Sequence, residues 1–86
     1  MKDLLILITI EEFLGMSPTK QDERGYVWYY ENGFISLETK IKELWFVDIE
    51  EQIDLKTFYA LHHLCSLNGY KVSGYVMVDE EPQKVW

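Results

Sequence analysis

Apolar residues fall into runs separated by short polar stretches, and the spacing inside each run indicates what it forms. Leu4 to Ile10 is continuous and rich in Ile, which fits either a buried strand or a buried helix. Its branched Ile and Thr residues favour the strand. Thr9, three residues ahead of Glu12, matches a capping box. A short helical turn over 10–14 is therefore expected after the strand, stopped by Gly15. MSPTKQDERG, residues 16–25, is polar with Pro and Gly and reads as a surface loop.

Alternation takes over next. Residues 26–39 read YVWYYENGFISLET, and Asn-Gly between β-forming runs is a strong hairpin signal. With Asn32 and Gly33 at the centre of the turn, Tyr30 faces Ile35, Trp28 faces Leu37 and Tyr26 faces Thr39. One face then carries Tyr26, Trp28, Tyr30, Ile35, Leu37 and Thr39 and is mostly apolar. The other carries Val27, Tyr29, Glu31, Phe34, Ser36 and Glu38 and is mixed, as in a sheet packed on one side.

TKIKE interrupts the alternation and LWFV resumes it, so a strand is expected near 43–47. The acidic connector DIEEQID, residues 48–54, follows. Asp54 is a good N-cap for LKTFYALHHLCSL, and Asn68-Gly69 is a standard stop, which predicts a helix over about 54–68. Leu55, Phe58, Leu61, Leu64 and Cys65 lie on one face of it. A longer helix would start at Asp48, with Asp48 and Glu51 as its capping box. YKVSGYVMV, residues 70–78, reads as a last strand and DEEPQKVW as a loose charged tail. The expected fold is α+β over a single domain, residues 1–86. A mainly antiparallel sheet packs on one amphipathic helix, and the N-terminal apolar run joins the core as a strand or short helix.

Composition allows such a core. The chain is 48% hydrophobic and 15% aromatic, too apolar for a disordered segment. At 86 residues, folding hides roughly 60–65% of the surface the unfolded chain exposes. Charge changes the functional picture more. Fifteen acidic against eight basic residues give a formal net charge of −7, which opposes direct binding to nucleic acid and suits a basic protein partner. Cys65 is the only cysteine, so no internal disulfide and no multi-cysteine zinc site can form. The opening apolar run is far short of the ~20 residues that cross a bilayer. Asp3 and the lack of a small-residue cleavage site argue against a secretion signal. The chain therefore reads as complete and cytoplasmic, with no membrane contact.

Candidate chemistry is sparse. His62 and His63 are adjacent and so point about 100° apart on a helix, whereas metal-binding pairs sit three or four residues apart. His62 and Cys65 have that spacing but lack a third ligand. Cys65 falls on the apolar helix face, where a thiol is inert. The glycines are scattered, so no phosphate-binding loop is formed, and Gly-x-Ser-x-Gly is absent. Neither an enzyme nor a cofactor is expected. EEFLGMSPTK resembles the first helix and turn of helix-turn-helix regulators over about ten residues. QDERGYVW then stands where a recognition helix would follow, so no DNA-reading helix is expected.

The feature that remains is acidic. Glu43, Asp48, Glu50, Glu51 and Asp54 occur in one stretch without a base, with Trp45 and Phe46 among them. Asp79, Glu80 and Glu81 form a second cluster. An aromatic anchor ringed by charge suits an interface that steers a complementary partner. The expected partner-binding residues are Glu43, Trp45, Asp48, Glu50, Glu51, Asp54, Asp79, Glu80 and Glu81. The expected function is that of a small acidic inhibitor of a basic, nucleic-acid-handling protein such as a nuclease. Anti-restriction and anti-CRISPR proteins of phage, antitoxins and nuclease immunity proteins act in this way. The alternative is a structural or adaptor module that associates through a sheet edge or the aromatic surface, including as a homodimer.

Overall fold

The computed structural model describes residues 2–49 and 52–85. It is a small α+β fold with a six-stranded sheet in the order β1-β2-β3-β4-β5-β6. The elements run α1 (Lys2–Leu14), β1 (Lys20–Asp22), β2 (Gly25–Tyr30), β3 (Gly33–Glu38), β4 (Glu43–Val47), α2 (Leu55–Leu67), β5 (Lys71–Val78) and β6 (Glu81–Lys84). All neighbours pair antiparallel except β4 and β5, which are parallel and joined by α2. The radius of gyration, 12.0 Å, is that of a compact chain of this length.

Both helices supply one core against one face of the sheet. Ile6, Leu7 and Ile10 of α1 and Leu61 and Cys65 of α2 cluster with Trp28, Ile35, Leu37, Leu44 and Phe46. Trp28 is fully buried, and its indole N–H donates to the Met16 carbonyl at 3.1 Å. The expected apolar face of the hairpin is thus the core face. Leu55, expected in the core, is instead 69% exposed, because it is the first residue of α2 and lies at the rim of the packed layer.

The N-terminal run is a 13-residue helix, not a strand followed by a turn. Burial of positions 6, 7 and 10, with 14 packed beside them, follows the helical period. Thr9 sits inside this helix, its hydroxyl donating to the Leu5 carbonyl at 2.8 Å, and does not cap a new turn. Gly15 ends the helix as expected, with φ +70°.

The hairpin keeps the expected faces but in a different register. Tyr30 pairs with Gly33, Trp28 with Ile35 and Tyr26 with Leu37, so the turn is Glu31-Asn32 and not Asn32-Gly33. A shift of two residues preserves the side-chain period, so the same residues stay inside. Gly33 belongs to β3 because the end of β4 crowds it. A Cβ there would lie 1.9 Å from the Val47 carbonyl oxygen and 2.7 Å from that of Asp48. Glycine answers a close approach here and does not make the turn.

Two further expectations change. Part of the 16–25 loop is β1, and the tail is not loose but forms β6 against β5. Both are short and polar, and pairing defines them. The second helix has the expected Asp54 cap and not the longer alternative from Asp48: the Asp54 side chain accepts from the Thr57 backbone N–H at 2.9 Å.

Candidate functional site

Strand directions decide where the acidic residues collect. β4 ends at Val47, opposite Phe34 near the start of β3 and opposite Tyr75 of β5. Asp48, the Glu31-Asn32 turn and the turn after β5 therefore leave the sheet at the same end. β5 runs three residues beyond Tyr75, so the Asp79-Glu80 turn projects about 10 Å past β4. The Asn32 backbone N–H donates to Gln52 Oε1 at 3.3 Å, tying the β2–β3 turn to the connector. Glu31, Asp48, Asp79, Glu80 and Glu81 are all exposed there. Arg24, Lys40, Lys42 and Lys71 mark the opposite end, where the β1–β2 turn, the β3–β4 loop and the start of β5 lie. Asp22, Glu38 and Glu43 share that end, so the sheet has one end dominated by carboxylates and one of mixed charge.

Asp54 joins the acidic end by way of α2, but its carboxylate is engaged. It accepts from the Thr57 backbone N–H and from the Thr57 hydroxyl, at 2.9 and 2.8 Å. These bonds hold its carboxyl below the usual carboxylate range. A group with a depressed folded-state pKa stabilises above its unfolded value, about 3.9, and loses that contribution as pH falls through the folded value. Asp54→Ala is therefore expected to lower the melting temperature at pH 7 and to matter less toward pH 2. An equal loss at both pH values would mean that the carboxylate charge has no part in the cap.

Glu43 and Trp45 are not at the acidic end. They point onto the sheet face that neither helix covers, in two rows set by register. One row reads Asp22, Gly25, Glu38, Glu43, Lys71 and the next Lys20, Val27, Ser36, Trp45, Ser73. Arg24 Nε donates to Glu38 Oε1 at 2.9 Å, and its guanidinium lies 5.4 Å from the Trp45 ring centre. Glu38 also accepts from the Ser36 hydroxyl. Although on the open face, Glu38 is only 4% exposed, screened by these neighbours. Ser73, opposite Trp45, is fully buried, and its hydroxyl has no partner among the described residues. A third row, Tyr29, Phe34, Val47 and Tyr75, borders the acidic end. Tyr29 is half exposed, and Tyr75 stacks edge-on against Trp45 at 5.7 Å.

Asp48 and Asp54 of the first acidic cluster thus share one end of the sheet with the Asp79-Glu80 turn of the second, and Glu43 and Trp45 fall outside this group. Glu50 and Glu51 lie outside the described residues. Sequence reasoning missed Glu31, which was assigned to the mixed hairpin face. It also missed a cavity of about 240 Å³ at the acidic end, lined by Phe46, Ile49, Ile53, Leu55, Phe58 and Tyr75. Strand polarity was the signal for the first. The second depends on how the connector folds over the sheet and has no signature in spacing.

Burial pushes the Cys65 thiol up to about 12, so it is no nucleophile at neutral pH. Among the described residues, no group of three or more His, Cys, Asp or Glu is placed to hold a metal ion, and no helix is long and apolar enough to cross a membrane. Comparison with protein-family models, curated proteins and solved structures finds no match to this chain.

Proposed function

We propose that the protein is a non-enzymatic inhibitor that docks its acidic end on a basic, nucleic-acid-handling protein. One observation carries this reading: Asp48 and the Asp79-Glu80 turn, distant in sequence, leave the sheet together with Glu31, while Arg24, Lys40, Lys42 and Lys71 stand at the opposite end. Carboxylates so grouped offer a partner's Arg and Lys the charge pattern they meet on phosphates. Tyr29 and Tyr75 beside them provide aromatic contact, which interfaces favour.

The test is affinity capture from cell extracts, with mass spectrometry and parallel washes at low and high salt. A stoichiometric nuclease or polymerase is expected at low salt and is released at high salt, because exposed charge pairs are screened. A partner retained equally at both salts would rule out phosphate imitation. Recovery of the chain alone, as a stable oligomer, would favour the structural-module alternative. Edge pairing is a weak basis for that alternative. β1 has three residues and β6 carries Pro82, features that blunt a sheet edge.

A further inference from the structure

We propose that the cavity at the acidic end receives one aliphatic or aromatic side chain from a lysine- and arginine-rich segment of the partner. This rests on the reading above and adds to it an apolar anchor. The cavity opens where the parallel strands β4 and β5 end and the connector turns into α2. Phe46 and Ile49, each 3% exposed, lie deepest, and Phe46 stacks on Phe58 with ring centres 4.8 Å apart. Leu55 stands at the mouth, and Tyr59, one turn along α2, is 65% exposed. An apolar patch thus continues from the cavity onto the helix.

Charge complementarity selects the occupant. Asp48 lines the cavity and is exposed. The Asp79-Glu80 turn and Glu31 leave the sheet at the same end. Two bases stand near the cavity, Lys56 in the first turn of α2 and Lys84, the register partner of Tyr75, and the carboxylates at this end outnumber them. A second copy of the chain, itself at −7, would bring like charge to this rim. A basic segment brings the opposite charge, and its central apolar side chain would fill a site bounded by carboxylates. An apolar anchor inside a charged rim is the arrangement that concentrates binding energy in protein interfaces.

The experiment uses the whole chain with labelled Ile and Leu methyl groups and three synthetic peptides. The first carries a central Phe between Lys and Arg residues, the second has Ala in place of Phe, and the third keeps Phe but has Ser flanks. The basic Phe peptide is expected to bind about tenfold tighter than the Ala peptide and to shift the methyl signals of Ile49, Ile53 and Leu55. Leu55→Ser, at an exposed position of the cavity mouth, is expected to remove most of that advantage. Equal binding of the two basic peptides, with the methyl signals unmoved, overturns the anchor site and leaves the basic-partner reading standing. A Ser-flanked peptide that binds as tightly as the basic one overturns the charge selection and with it the reading beneath. Unmoved methyl signals with all three peptides overturn the proposal.

Discussion

Trp28→Ala is expected to cost about 3–5 kcal/mol, the range for truncating a buried aromatic residue to Ala. Three features of the site support the upper half of that range. The side chain is fully buried. It lies in the core against which both helices pack. Its indole N–H also satisfies the Met16 carbonyl, so truncation removes a hydrogen bond as well as leaving a cavity. A chain this small holds roughly 4–13 kcal/mol in total. The melting temperature should therefore fall by roughly 15–30 °C. Thermal unfolding followed by circular dichroism checks this. A fall of only a few degrees would mean that the helical layer collapses onto the sheet without Trp28.

Replacing Asp79 by Asn and Glu80 by Gly together should move stability and binding in opposite directions. Asp79 and Glu80 have φ of +50° and +66°, the left-handed region that a two-residue type I′ turn requires. Side chains there cost about 1–2 kcal/mol per residue relative to glycine, with Asn better tolerated. The double variant should gain about 1–2 kcal/mol, seen as a melting temperature higher by roughly 5–10 °C. It also removes two carboxylates from the acidic end, so affinity for a captured basic partner should fall about tenfold at low salt, and less at high salt. Strained backbone retained at a site is a reason to suspect a function there. A variant that is more stable yet binds as before would show that the turn does not touch the partner.

The same turn shows what spacing could and could not reveal. Asn32-Gly33 looked like the type I′ site, yet that conformation falls on Asp79-Glu80, where the residues give no such sign. Packing overrode local preference twice, since Gly33 is needed against the β4 carbonyls and the 79–80 turn is held by strand pairing. Features set by near neighbours were legible: the Asp54 cap, the Asn68-Gly69 stop and the two faces of the hairpin. The N-terminal run was not, because Leu, Ile and Thr in unbroken sequence lack the polar positions that distinguish a helix from a strand. β1 and β6 were not, because Lys-Gln-Asp and Glu-Pro-Gln-Lys become strands only beside a partner. Both acidic clusters were plain in the sequence. That Asp48 and the Asp79-Glu80 turn share one end required knowing that β4 and β5 run parallel, a consequence of the α2 crossover.

That crossover also shapes how the chain comes into being. β2, β3 and β4 form from consecutive sequence, but the neighbour that covers the far edge of β4 is made only after the connector and α2. Synthesis from Val47 to Val78 takes roughly 2–6 s at the usual 5–20 residues per second. Through that interval β4 is an open edge bearing Leu44, Trp45, Phe46 and Val47, able to pair with any other nascent strand. Expression should therefore be most prone to insoluble product when many nascent chains are crowded together and β5 is slow to follow β4, and most forgiving when β5 follows promptly.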